Sequence, residues 1–136
     1  MEILKIGPAH KTSKLDIEYC KSNFKLHTFF GELSSDMVMF QVIKMFDSVY
    51  IWIGLNNQPT LQDLSMAMYN QHGQVPVSTV LLGDSVEETS KNISTKLCKK
   101  LNKVVCVSLN VEDNRFNIES IEKRIQKEIV EFPEYF

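Results

Sequence analysis

Two β-prone runs, Met37 to Phe46 and Val49 to Leu55, stand only Asp47-Ser48 apart. A gap that short predicts an antiparallel hairpin, because a parallel pair needs a crossover of a dozen or more residues. Asp-Ser is not the Asn-Gly that a type I′ turn prefers, so the register is open to a shift of one residue. Zipped from that gap, one face carries Val38, Phe40, Val42, Phe46, Val49, Ile51 and Ile53. The other carries Met39, Gln41, Ile43, Met45, Tyr50 and Trp52. A sheet with one wet face alternates apolar and polar residues. This hairpin is apolar on both sides, so both sides need a cover.

The rest of the chain supplies a cover for one side. Lys25 to Leu33 is a further β-prone run, ending at Ser34-Ser35-Asp36. Leu61 to Tyr69 fits two patterns: Leu61, Leu64 and Met68 have helical spacing, while Leu64, Met66 and Met68 alternate as in a strand. Val75 to Leu82 reads as a strand, and its Pro76 marks an edge or a strand start. Ser85 with Glu88 fits a capping box, after which Ile93, Leu97 and Leu101 form a helical stripe. Val104 to Val111 alternates, with Val105, Val107, Leu109 and Val111 on one face. Asn117 caps a last helix, with Phe116 and Ile121 as its staple. Its buried stripe is Ile118, Ile121, Ile125 and Ile129, and Pro133 stops it. Glu119 with Lys123 and Lys127 with Glu131 are i,i+4 pairs along it, both read as standing in the favourable order. Residues 1 to 23 read as a weakly ordered arm with one short strand at Ile3 to Ile6, leaving 24 to 136 as a single domain.

Two helices roof one face of a sheet and no more. The aliphatic face is assigned to them. Tyr, Trp and Met are enriched where proteins meet, so the face of Met39, Gln41, Ile43, Met45, Tyr50 and Trp52 is assigned to a protein partner. On that reading Trp52→Ala weakens pairing by about 2–4 kcal/mol.

Several function classes drop out. Fifteen Lys and Arg against seventeen Asp and Glu give a net charge of -2, without the basic excess that nucleic acid or an anionic membrane surface attracts. The longest apolar run, Val49 to Leu55, falls far short of the ~20 residues of a membrane span. The N-terminus lacks a secretory signal, and the three cysteines, Cys20, Cys98 and Cys106, are unpaired in spacing. Reduced thiols in the cytosol or nucleus follow. His10, His27 and His72 are far apart, with no Cys-x-x-Cys or His-x-x-x-His pair, so no metal site is expected. Ser78 has no nucleophile elbow, Cys20 and His27 do not form a recognisable dyad, and no phosphate loop exists. Gly83-Asp84-Ser85 reads as a helix cap, since the acidic groups there leave no place for an anion. No catalytic group and no cofactor are expected.

Five separated blocks carry a family resemblance. They are Asp47-Ser48-Val49-Tyr50-Ile51-Trp52-Ile53-Gly54, then Leu64-Ser65-Met66-Ala67-Met68, then Val75-Pro76-Val77-Ser78-Thr79-Val80-Leu81-Leu82-Gly83-Asp84. Lys100-Leu101-Asn102-Lys103-Val104-Val105-Cys106-Val107-Ser108 is the fourth. The fifth runs Glu122-Lys123-Arg124-Ile125-Gln126-Lys127-Glu128 and ends in Glu131-Phe132-Pro133-Glu134-Tyr135-Phe136. In this order and spacing, residues 24 to 136 resemble the proteasome assembly chaperone 4 family. The resemblance implies an α+β fold: a mostly antiparallel six-stranded sheet with two long helices packed on one face, and Leu64 to Met68 as a strand. It implies a chaperone and not an enzyme. It also implies pairing, sheet to sheet, with assembly chaperone 3, and help for α-type subunits of the 20S proteasome, the fifth above all, as they join the seven-membered α ring. Without its sister the chain is expected to be open to homodimer formation. The alternative reading is a small scaffold or trafficking module of roadblock or longin type.

Overall fold

The computed structural model describes residues 17–84, 88–112 and 118–136. The strand expected at Ile3 to Ile6, His10, the Ser85 half of the capping box, and the Asn117 cap with its Phe116 staple lie outside these residues. Residues 17–24 are exposed and carry no helix or strand.

Six strands and two helices follow: β1 (Lys25–Leu33), β2 (Asp36–Lys44), β3 (Ser48–Leu55), β4 (Leu64–Met68), β5 (Val77–Leu82), α1 (Thr89–Leu101), β6 (Val104–Asn110) and α2 (Ile118–Glu131). A 3-10 turn, Pro133–Tyr135, comes last. The strands make one sheet in the order β1-β2-β3-β6-β4-β5. Every neighbouring pair is antiparallel except β3 with β6. The α+β expectation is met, and Leu64 to Met68 is the fourth strand.

The β1–β2 turn is Ser34-Ser35, both with positive φ (51° and 72°). This is the twist a two-residue hairpin needs, taken here by two serines rather than Asn-Gly. The β2–β3 hairpin differs from the expected one. Lys44 stands opposite Val49, so Met45 to Asp47 form the loop, closed by the Met45 N–H donating to the Ser48 carbonyl at 2.9 Å. Pairing is displaced by two residues from a turn at Asp47-Ser48. A two-residue slip keeps every side chain on its own face, because the strand period is two. The correction falls on Phe46, assigned above to the core face: it rides in the turn and is 94% exposed.

Both helices lie on one face. Ile93, Leu97 and Cys98 of α1 and Ile121, Ile125 and Ile129 of α2 join Val38, Phe40, Val42, Val49, Ile51, Ile53, Val105 and Val107 in one core. The α1 N-cap is Glu88, with no side-chain cap bond, so the helix starts later than a Ser85 cap would have it. It stops at Asn102, whose left-handed backbone (φ 53°) sends its N–H to the Cys98 carbonyl. The α1 stripe also buries Ser90 and Ser94; the Ser94 hydroxyl donates to the Lys91 carbonyl at 2.9 Å.

A buried charge cluster straps α2 to β1. Glu128, 2% exposed, meets His27 Nε2 at 2.5 Å and accepts from Arg124 Nη1 at 2.6 Å. Arg124 also donates from Nε to the Phe30 carbonyl at 3.0 Å and lies 4.5 Å over the Phe29 ring. The His27 ring stacks on Tyr135 at 4.4 Å. Burial pushes the Glu128 carboxyl up, but the bonds from His27 and Arg124 outweigh it and hold the group below the usual carboxylate range. Phe136 is buried beside this strap, and Lys103 Nζ donates to its carbonyl at 2.9 Å.

Candidate protein-interaction face

The side of the sheet away from the helices is the candidate site. Register places Leu26, Ile43, Tyr50, Cys106, Met66 and Thr79 in one row across all six strands. A second row holds Thr28, Gln41, Trp52 and Ser108, and a third Phe30, Met39, Gly54 and Asn110. Met39, Gln41, Ile43 and Tyr50 are half-buried, and Leu26 and Phe30 are exposed. Met45 has left the sheet for the β2–β3 loop. The strands therefore bring together five of the six residues assigned to a partner: Met39, Gln41, Ile43, Tyr50 and Trp52.

Trp52 departs from expectation. It is only 8% exposed, because its own chain covers it. The indole lies against Gly54, so close that a Cβ there would clash with the ring. Its Nε1 donates to the Thr60 carbonyl at 2.8 Å. The segment from 56 to 63 that carries Thr60 is pinned from three sides. Asn110 Oδ1 accepts the Gln62 N–H at 2.8 Å, Ser108 Oγ donates to the Asp63 carbonyl at 2.6 Å, and Ser90 Oγ donates to Asp63 Oδ2 at 3.0 Å. The expectation that Trp52 stands open among the contact residues is thus corrected. Its truncation falls first on folding.

Sequence reasoning missed the outer residues of this face. Met66 was visible in the alternation of β4, but its place beside Cys106 depends on β6 entering the sheet between β3 and β4. Cys106, noted above only as an unpaired thiol, sits half-buried at the middle of the open side. Burial pushes its thiol up, as it does the fully buried Cys98. Thiols held that way are poor nucleophiles at neutral pH. Burial also raises the Tyr50 phenol, against an opposing hydrogen bond with Ser108.

His27, weighed above with Cys20 as a dyad, is engaged by Glu128 and Tyr135, while Cys20 is exposed. Among the described residues no three His, Cys, Asp or Glu side chains converge as metal ligands would, and no helix is long and apolar enough to cross a membrane. What the open side offers is adhesion: aromatic, thioether and aliphatic groups over a rigid sheet.

Known proteins are similar to this chain in sequence and in fold. A family model described as Proteasome assembly chaperone 4 matches residues 37–111, more than half of the chain. The chain is 38% identical over 112 residues to Proteasome assembly chaperone 4 of Homo sapiens, covering 82% of this chain and 89% of the human one. It is 35% identical over 117 residues to that of Mus musculus, covering 85% and 93%. Among solved structures, a chain of a chaperone complex for yeast 20S proteasome assembly shares the fold, with a TM-score of 0.56 at 12% identity, over 82% of this chain and 95% of that one. The family is one of chaperones and not of enzymes, and this chain, with its helix-roofed sheet and open apolar face, belongs to the proteasome assembly chaperone 4 family.

Proposed function

We propose that this chain is one half of a two-chaperone unit. Its open sheet face pairs with assembly chaperone 3, and the pair guides α-type subunits into the seven-membered ring of the 20S proteasome, the fifth α-type subunit being its main contact. Its three free cysteines suit a reducing compartment, the cytosol or the nucleus, as its place of work. The observation that carries this reading is the half-buried patch of Met39, Gln41, Ile43 and Tyr50 on the side no helix covers. Such a face gains by being covered, at roughly 25 cal/mol per Å² of apolar surface removed from water. No catalytic group is required. A chaperone acts here by binding an intermediate better than the finished particle, so completion of the ring releases it.

The test is a titration of the full chain with assembly chaperone 3, followed by capture of α-type subunits. A one-to-one complex is expected, and Ile43→Lys should weaken it at least tenfold while leaving the circular dichroism spectrum unchanged. Undiminished affinity in a folded Ile43→Lys variant would move the interface elsewhere. Failure of the complex to retain any α-type subunit would remove the ring from the function.

A further inference from the structure

We infer that segment 56–63 is a fixed ridge of the partner face, that Leu61 on its crest touches the sister chaperone, and that Asp63 is the positioning residue that holds it there. The inference rests on the pairing proposed above and names a contact that the strands themselves do not supply. In the third row across the open side, the apolar side chains of Phe30 and Met39 give way to Gly54 and Asn110. The ridge passes over this gap. Its Thr60 carbonyl is turned to Trp52 and its Gln62 N–H to Asn110, both on the open side. Leu61 lies between those two bonded groups, so its backbone faces the sheet, and its side chain is 56% exposed. The apolar surface that Trp52 withholds by being sealed is resumed one layer further out by Leu61.

The ridge is anchored at both ends. At its start the Gln58 N–H donates to the Leu55 carbonyl at 3.2 Å. At its end Asp63 is held through every polar group it has. Its N–H donates to Asn110 Oδ1 at 3.4 Å, and its carbonyl accepts from Ser108, the ladder neighbour of Trp52. Its carboxylate reaches toward the helix layer. There Oδ1 accepts the Leu109 N–H at 3.3 Å, and Oδ2 accepts from Ser90, whose hydroxyl meets that of Ser65 at 2.7 Å. Strand lengths explain why a side chain is needed. The ladder between β4 and β6 runs from Ser65 with Val107 to Ala67 with Val105, while β6 continues to Asn110. Beyond the ladder, the Leu109 N–H bonds to a carboxylate in place of a strand. Ser90 stands in the first turn of α1, where the helix dipole favours a negative charge. A ridge fixed in advance loses little conformational freedom when a partner covers it.

The test is a calorimetric titration of the full chain with assembly chaperone 3, with Ile43→Lys as the reference. Leu61→Lys should weaken binding about tenfold and leave Trp52 emission and the urea midpoint unchanged. Asp63→Ala should weaken binding in a folded chain whose Trp52 is several-fold more open to acrylamide quenching. Ser90→Ala, which removes one hydroxyl from the anchor, should move both readouts the same way by less, and it decides the matter where Asp63→Ala does not fold. Lost affinity in Ile43→Lys with none lost in Leu61→Lys overturns the ridge as a contact and leaves the pairing standing. Undiminished affinity in both removes the open face itself, and the inference with it. Trp52 quenching that stays at the wild-type level in whichever of Asp63→Ala and Ser90→Ala folds overturns Asp63 as the positioning residue.

Discussion

On the helix side of the sheet Val38, Phe40, Val42, Val49, Ile51 and Ile53 have no exposure to solvent, while one position along the same strands Met39, Gln41, Ile43 and Tyr50 stay half-buried. The two sides share a backbone and differ in what lies over them. The roofed side uses β-branched and aromatic groups that lock into a single packing. The open side uses Met, Gln and Tyr, which adapt and can hydrogen-bond at a rim. Trp52 crosses this division: it sits on the open side but is sealed like a core residue. On the proposed function, the side of the sheet decides whether a substitution is felt in folding or in binding, except where the segment 56–63 intervenes.

The comparison can be broken most easily from the roofed side. Phe40→Ala should cost about 3–5 kcal/mol of folding stability in urea titration. A loss below about 1 kcal/mol would mean that this side is not the core. Glu128→Ala should cost about 3 kcal/mol, since it leaves His27 and Arg124 without their buried anion. The pH dependence has a definite sign. The carboxyl is held below its unfolded value, so its contribution is present above about pH 4.3 and disappears as pH falls through the lowered folded value. Acid titration of stability should show this limb in the wild type and lose it in Glu128→Gln.

Trp52→Ala should cost about 3 kcal/mol in folding, although it lies on the open side. Trp52 is the one tryptophan in the chain, so the lone protein should already show blue-shifted emission. Red emission that turns blue only on adding the sister chaperone would return Trp52 to the interface. Tyr50→Ala should alter stability by about 1 kcal/mol, with its larger effect on affinity for the sister. Lys96→Ala, which removes an exposed bridge to Glu122, should alter stability by less than about 1 kcal/mol.

Legibility in the sequence followed periodicity. The alternation in β2, β3 and β6 and the isoleucine stripe of α2 gave elements and faces directly, because each residue reports its own side. The hairpin slip went unseen because a displacement by two leaves that alternation intact, and only Met45 and Phe46, both moved into the loop, betray it. Along α2, Glu119 and Lys123 meet at 2.7 Å while Lys127 and Glu131 are 3.8 Å apart, in line with the better Glu-before-Lys order. The seal over Trp52 was not readable, since it depends on an aperiodic segment held by Asn110 and Ser108, more than forty residues away in sequence. Nothing in the sequence marks Glu128 for burial among the other charges of α2. Its burial is set by His27, 101 residues distant.

The late position of β6 has a consequence for the chain as it is made. β1 to β3 form a local meander and β4 with β5 a local hairpin, but the two groups touch as neighbouring strands only through β6. A polypeptide emerging N-terminus first therefore presents two raw strand borders, β3 and β4, until Val104–Asn110 is delivered between them. A ribosome that pauses before Val104 leaves a nascent chain with nothing to join its halves. This chaperone should need protection from mispairing during its own synthesis.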